Sequence, residues 1–456
     1  MNQREQFGSR LGFILISAGC AIGLGNVWRF PHIAGEYGGA AFILIYLLFL
    51  LIFGIPIMTI EFAVGRGSGK SIAKSFEELE PKGTKWHWFS PIAIAGNYLL
   101  MMFYTVVTGW MFIYFIKMLT GDFVGNTAAQ ISAQFDAMTA NPWLLMGFMA
   151  LSVVIGFVIC SLGLKGGVEK ITKVMMLALL AIIVILAIRV IMLPGAGEGL
   201  RYYLIPDFGK MVEKGIGEVI MAAMAQAFFT LSIGMGSMAV FGSYISKKRR
   251  LMGESITIAI LDTFVAIMAG LIVIPACFAF DIKPDAGPSL IFETLPNVFN
   301  AMSGGRLWGA CFFLFMIFAA MSTLIAVFEN IISYSMDRWG WSRKKSCLIN
   351  CGLVILLSVP CALGFNVLSG FTPMGTGTTI LDLEDFIVSS NILPLGSLVY
   401  VLFATSKKYG WGWNNFLEEA NTGKGPKFPS WLKVYVKYVL PVIIILLWAQ
   451  SYLPKK

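Results

Sequence analysis

Histidine is nearly missing from this chain, two residues in 456, and charged residues make up only 13%. Two histidines exclude a histidine-rich metal centre. No His-Glu-x-x-His and no Gly-x-Ser-x-Gly occurs either, which removes the signatures of zinc hydrolases and of a nucleophile elbow. The seven cysteines (Cys20, Cys160, Cys277, Cys311, Cys347, Cys351 and Cys361) form no Cys-x-x-Cys pair and lie in or beside apolar segments. They read as small packing residues rather than a disulfide frame or a zinc site. Acidic residues are outnumbered by basic ones, 25 against 34, for a formal net charge of +9. The excess sits in short loops, so membrane topology explains it better than nucleic-acid binding. Neither nucleic acid nor an obligate protein partner is expected, and no organic cofactor.

What remains is apolar sequence. The chain is 57% hydrophobic, with a mean hydropathy of +0.78, whereas soluble domains carry about 25% charged residues. At about 20 residues per crossing, eleven runs predict spans near 11–34, 40–64, 89–118, 143–163, 171–193, 216–243, 254–278, 308–335, 346–366, 382–405 and 432–453. The fold class is an all-α polytopic membrane protein, one domain over 1–456, with the bilayer as its partner. Arg66, Lys70 and Lys74, the run Lys247, Lys248, Arg249 and Arg250, and Arg343, Lys344 and Lys345 fall on one side of this topology. The positive-inside rule then puts the N-terminus in the cytoplasm and the C-terminus outside. No cleavable signal peptide is read, because the first run continues past about twenty residues.

Two of these runs are interrupted. Gly23-Leu24-Gly25-Asn26 breaks the first and Gly234-Met235-Gly236 breaks the sixth. Glycine costs a helix interior about 1 kcal/mol relative to alanine, and backbone groups freed in a bilayer need new partners. Five spans stand from one break to the next, an odd number that gives the two copies opposite orientation. This predicts an inverted repeat of five plus five, 11–193 and 216–405, with 432–453 added, and a binding site of unwound backbone near the midplane. Glycines that only let helices pack closely are the plainer reading; a matching pair of breaks with adjacent oxygen donors favours the site. Freed amides at a half-helix start suit a carboxylate, and carbonyls at a half-helix end suit cations.

Side chains near the breaks extend this reading. Asn26 adds an oxygen beside the first break, and Thr230 and Ser232 supply hydroxyls before the second, with Phe228 and Phe229 as an aromatic wall. Hydroxyls in apolar helices more often bond to their own turn. Asp262 is more specific: a carboxylate inside an apolar helix is costly and marks an ion or proton path. Ser322 and Thr323, after Ala319 and Ala320, complete a set of hard oxygens suited to an alkali cation. The segment 281–307 carries Pro284, Pro288 and Pro296 around Leu290-Ile291-Phe292 and predicts short helices packed over an outer vestibule.

These residues carry a resemblance. Arg10-Leu11-Gly12 and the run from Gly23 to Pro31 (Gly-Leu-Gly-Asn-Val-Trp-Arg-Phe-Pro) resemble the first-helix signature of the neurotransmitter:sodium symporter family. Glu36-Tyr37-Gly38-Gly39-Ala40-Ala41-Phe42, Gly54-Ile55-Pro56 with Glu61, Phe228 to Ser232, the stretch 286–299 and Leu381-Asp382-Leu383-Glu384-Asp385-Phe386 agree with it in order. The resemblance spans nearly the whole chain and is nearest the bacterial amino-acid-transporting branch. It implies a leucine-transporter-like fold with discontinuous helices 1 and 6, and sodium-coupled uptake with two co-transported Na+ ions.

Carried over residue by residue, the resemblance implies one sodium site from the Ala21 carbonyl, Asn26, Thr230, Asp262 and the substrate carboxylate. A second would use the carbonyls of Gly19, Ile22 and Ala319 with the hydroxyls of Ser322 and Thr323. The substrate carboxylate would meet the Leu24 and Gly25 amides and the Tyr104 hydroxyl. The amine would meet carbonyls of Ala21, Phe229 and Thr230, with Ser232 helping. Cys20, Leu100, Tyr104, Phe229, Ser232, Met235 and Val327 would line the side-chain pocket. It carries no spare charge, so hydrophobic L-amino acids, aliphatic or aromatic, are expected. Arg29 and Asp385 would form an outer gate, and Arg4 and Asp337, with Tyr244 nearby, an inner one.

Three departures from the family pattern matter. Asp262 stands where many relatives carry asparagine, and its charge would replace chloride. Gly23 stands where monoamine transporters carry aspartate, which argues for a substrate with its own carboxylate. Cys20 replaces a polar residue of some bacterial members. The main alternative class is a channel, since unwound backbone and oxygen rings also serve selectivity. Two unlike half-sites and paired gates speak against it. A sensor with a transporter-like fold stays open at the level of residues.

Overall fold

The computed structural model describes residues 6–280 and 290–452. Among these, the secondary structure is helical apart from one isolated bridge, Arg249 to Lys424. Among the described residues nine helices are long and apolar enough to cross a membrane, and a pair bent by 58° makes a tenth. In chain order the spans are α1 (Arg10–Ala21 and Gly25–Glu36), α2 (Ala40–Ser68), α3 (Trp86–Thr120), α4 (Pro142–Ser161) and α5 (Leu164–Ile191). The sixth, α6, is split into Ile216–Thr230 and Ser237–Tyr244, each too short to cross alone. There follow α7 (Leu251–Ala279), α8 (Gly305–Trp339), α9 (Arg343–Leu363), α10 (Ile380–Thr405) and α11 (Ser430–Gln450).

Local chemistry sets several boundaries. The Ser9 hydroxyl starts α1 by accepting the Gly12 N–H at 3.0 Å, one of the amides a helix start leaves open. Its first half stops after Ala21, where Ile22 turns extended at ψ 96°. In α6 the interruption is built from left-handed backbone: Ser232 has φ 49°, Gly234 φ 99° and Gly236 φ 84°. Only glycine takes that region without strain.

The bundle has a definite inside. In α8, 83% of the apolar window is buried, against 28% in α11, so α8 is central and α11 peripheral. The heaviest packing joins α2 to α6 and then α3 to α8, and α2 also packs on α7, α4 on α9 and α1 on α6. Close approach of α2 and α6 depends on glycine. A Cβ on Gly65 would overlap the Ala239 carbonyl, and one on Gly242 the Phe62 carbonyl.

The expected short helices of the 281–307 segment appear as Leu290–Thr294 and Leu295–Ala301; residues 281–289 lie outside the described part. Leu290, Ile291 and Phe292 are fully buried. The Phe292 ring sits 5.1 Å from Tyr114, 5.5 Å from Trp110, 5.7 Å from Phe135 and 6.0 Å from Trp28.

Candidate functional site

The two helix interruptions meet at the centre of the bundle. At the first, the Gly23 N–H donates to Asn26 Oδ1 at 3.3 Å and the Leu24 N–H to Tyr104 Oη at 3.1 Å. Gly23 and Gly25 are required by room rather than by φ. A Cβ on Gly23 would lie 2.5 Å from Tyr104 Oη and 2.8 Å from Thr323 Oγ1; one on Gly25 would lie 2.7 Å from the Phe229 ring. The same break thus holds backbone against α3, α6 and α8.

One oxygen set gathers on α1, α6 and α7. Asn26 Nδ2 donates to Asp262 Oδ1 at 2.8 Å and to its carbonyl at 3.0 Å, and Thr230 Oγ1 donates to Asp262 Oδ2 at 2.9 Å. All three side chains are buried. A second set gathers on α1 and α8. Ser322 Oγ lies 3.0 Å from the Gly19 carbonyl and 2.9 Å from that of Ala319. Thr323 Oγ1 lies 3.1 Å from Gly19 O, 3.3 Å from Ile22 O and 3.4 Å from Ala319 O. Apart from Asn26, which turns its nitrogen to Asp262 and its Oδ1 to the Gly23 N–H, the atoms of both sets are hard oxygens, the chemistry of an alkali or alkaline-earth ion rather than a soft metal. Among the described residues no cluster of three or more His, Cys, Asp or Glu side chains comes together.

The residues expected to line a side-chain pocket lie on the elements that meet at the breaks. Leu100 lies one turn before Tyr104 on α3, and Val327 one turn beyond Thr323 on α8; both are buried, as are Cys20 and Met235. Ser232 Oγ donates to the Cys20 carbonyl at 3.3 Å, which ties the second break to the end of the first half-helix beside Ala21.

The expected ion pair between Arg29 and Asp385 is not present as a direct contact. The Arg29 guanidinium lies 4.7 Å from the Phe229 ring centroid, a favourable cation–π distance. Asp385 accepts the Ser389 hydroxyl at 2.6 Å. The ring and the serine thus satisfy the two groups separately, although they remain electrostatic neighbours.

On the other side, Arg4 lies outside the described residues. Asp337 accepts the Ser71 N–H at 2.8 Å. Tyr244 Oη donates to Glu329 Oε1 at 2.8 Å, and Glu329 also takes two bonds from Arg343, at 2.7 and 3.0 Å. The start of α1 is fastened nearby. Glu169 accepts the Gly8 N–H at 2.7 Å, the Ser9 N–H at 3.0 Å and the Ser9 hydroxyl at 2.8 Å. Phe7 packs 5.7 Å from both Phe13 and Tyr244. Beside it lies a cavity of about 850 Å³ bordered by Gln6, Arg66, Leu162, Lys165, Ser243 and Lys247.

Several contributors carry no role in the sequence reading. Glu61 is fully buried and accepts the N–H groups of Gly234 at 2.8 Å, Met238 at 3.0 Å and Ala239 at 3.4 Å, which caps the second half of α6. Gln226 Nε2 donates to the Gly25 carbonyl at 3.1 Å. Asn97 Nδ2 holds the Met235 carbonyl at 2.9 Å, and Asn330 Nδ2 donates to Asn97 Oδ1 at 3.0 Å. The available signal was a polar side chain inside an apolar run; what each one holds needs the tertiary structure.

The profile of the Sodium:neurotransmitter symporter family matches residues 4–131 and 121–455. An uncharacterized sodium-dependent transporter of Bacillus subtilis is 32% identical over 97% of this chain and 96% of its own length. The sodium- and chloride-dependent GABA transporter 2 of Bos taurus is 24% identical over 90% of this chain and 74% of its own. Among solved structures, MhsT in complex with L-phenylalanine superposes with a TM-score of 0.86 at 37% identity, covering 98% of this chain and all of that one.

Proposed function

The chain belongs to the sodium:neurotransmitter symporter family and is a sodium-dependent membrane transporter, not an enzyme; from that premise we propose that it takes up hydrophobic L-amino acids with two sodium ions and without chloride. The observation that carries the reading is the meeting of two separate hard-oxygen sets at one pair of helix breaks. The set of Asn26, Thr230 and Asp262, with the Ala21 carbonyl, would hold the first ion next to the substrate carboxylate. The set of Gly19, Ile22, Ala319, Ser322 and Thr323 would hold the second.

The Leu24 and Gly25 amides and Tyr104 would receive the substrate carboxylate, and the carbonyls of Ala21, Phe229 and Thr230 its amine. Support for an apolar side chain comes from Cys20, Leu100, Met235 and Val327, all buried beside the breaks. The MhsT complex with phenylalanine points the same way. Support for chloride independence comes from Asp262, a negative charge built into the first ion set.

Alternating access is the mechanism we assign. The two repeats would be 11–193 and 216–405, with α11 added; support comes from the packing of α1 on α6, α2 on α7, α3 on α8 and α4 on α9. Arg29, Phe229 and Asp385 would close the outer side. Tyr244, Asp337 and the Glu169-bound start of α1 would close the inner side, with Arg4 added from beyond the described residues. The N-terminus would lie in the cytoplasm of a bacterial cell and the C-terminus outside. Two charges moving down 100 mV supply about 4.6 kcal/mol, and tenfold sodium gradients add about 1.4 kcal/mol per ion. The sum of about 7.4 kcal/mol supports strong accumulation.

Purified protein in proteoliposomes tests the reading with labelled phenylalanine and leucine under an imposed sodium gradient. Uptake should require inward sodium and proceed in chloride-free buffer. Sodium-driven uptake of lysine or glutamate alone would defeat the pocket assignment, and uptake indifferent to sodium would defeat the ion sets.

A further inference from the structure

Three carboxylates open α10, and the fold treats them differently. Asp382 accepts the Thr379 N–H at 2.7 Å and its hydroxyl at 2.8 Å. Asp385 has the Ser389 hydroxyl. Glu384, between them, is only 3% exposed, and among the described residues neither of its oxygens meets an N–H or O–H donor.

Among the described residues, the elements packed on Glu384 offer no countercharge. This part of α10 packs on α3 and α9, and the neighbouring polar group is the Cys361 thiol of α9. From Ser346 to Leu363, α9 carries no charged side chain, and from Phe89 to Ile116 the titratable groups of α3 are Tyr98, Tyr104 and Tyr114. On α10 itself the charged groups are Asp382 and Asp385, which would repel another negative charge. Burying an unpaired carboxylate is unfavourable, so this packing accommodates the neutral acid.

We propose that Glu384 is a proton-binding site on the outer-gate helix. It holds a proton while the start of α10 packs against α3 and α9, and releases it to external water when that packing opens. The O–H bond of the acid breaks, the carboxylate is left hydrated, and no other reactant is needed. The inference rests on reading α10 as part of the outer gate. Its sign follows from linkage: the packed state binds the proton more tightly, so external acid favours closure and rising pH removes that preference.

The test is amide hydrogen exchange over residues 380–392 of the full chain in lipid nanodiscs, corrected for the intrinsic chemical rate. Between about pH 5.5 and about pH 8.5, a range over which a buried carboxyl titrates, the wild-type segment should exchange at least about fivefold faster at the higher pH. Glu384→Gln, neutral at both, should stay protected, and Glu384→Asp should keep the response. A wild-type rate that is the same at both pH values overturns the proposal, whether or not the variants fold. So does a Glu384→Gln segment with the wild-type pH response. Neither readout uses transport, so failure of sodium-driven uptake would leave this result legible by itself.

Discussion

Adding one methyl group at Gly23 should weaken sodium coupling through hydroxyls that the methyl group itself crowds. The new Cβ would lie 2.5 Å from Tyr104 Oη and 2.8 Å from Thr323 Oγ1. Ordinary contact begins at 3.4 Å, so the hydroxyls must retreat by 3.4 − 2.5 = 0.9 Å and 3.4 − 2.8 = 0.6 Å. Tyr104 now accepts the Leu24 N–H at 3.1 Å, and Thr323 bridges the Gly19 and Ile22 carbonyls at 3.1 and 3.3 Å. A retreat of that size breaks the first bond and loosens the other two. A buried donor left without a partner costs about 1–3 kcal/mol, which corresponds to roughly 5- to 150-fold in an equilibrium constant. Equilibrium binding of labelled phenylalanine to Gly23→Ala, titrated with sodium, should show a half-saturating concentration raised within that range. Gly147→Ala is the matched control, because nothing lies within 4 Å of its added Cβ. A Gly23→Ala protein with sodium half-saturation within about twofold of wild type, well under the 1.4 kcal/mol of a tenfold change, would refute the reasoning.

Other perturbations separate the parts of the site. Asp262→Asn should slow uptake in gluconate buffer and recover partly when chloride is added; equal rates in the two buffers would remove the charge-compensation argument. Thr323→Ala should raise the sodium requirement about tenfold or more (at least 1.4 kcal/mol) while leaving the ranking of amino acids unchanged in competition assays. Glu61→Ala orphans the N–H groups of Gly234, Met238 and Ala239, each at about 1–3 kcal/mol. Its thermal unfolding in detergent should fall by several degrees, with Glu61→Gln intermediate.

The broken helices were legible because glycine in an apolar run is both costly and conspicuous. The structure divides that signal in two. Gly234 and Gly236 have left-handed backbone, whereas Gly23 and Gly25 make room for Tyr104, Thr323 and Phe229. Composition alone cannot separate those uses. Asp262, Ser322 and Thr323 were readable as polar groups in apolar helices, and they gather where two breaks would need them. Glu61 was visible as part of a motif but not as a cap, since its three amides lie more than 170 residues away in sequence. Arg29 and Asp385 make no direct contact; the guanidinium faces the Phe229 ring, a partner that sequence spacing does not point to. The π-helical turns at Gly25–Arg29 and Phe386–Ile392 left no pattern in the sequence; each is a shift in hydrogen-bond register that tertiary contacts select.

Glu169 gives the start of α1 an all-or-none character. One carboxylate holds the Gly8 N–H, the Ser9 N–H and the Ser9 hydroxyl, and Gly12 is bare where any side chain would strike that carboxylate. Three bonds to a single group cannot be lost gradually, because moving the segment away from Glu169 removes them together. Release of this end should therefore occur as rare, brief, cooperative jumps rather than a graded bend. A fluorophore near Gly8 followed one molecule at a time should show two discrete levels, with dwell times that shorten when Glu169 is replaced by glutamine.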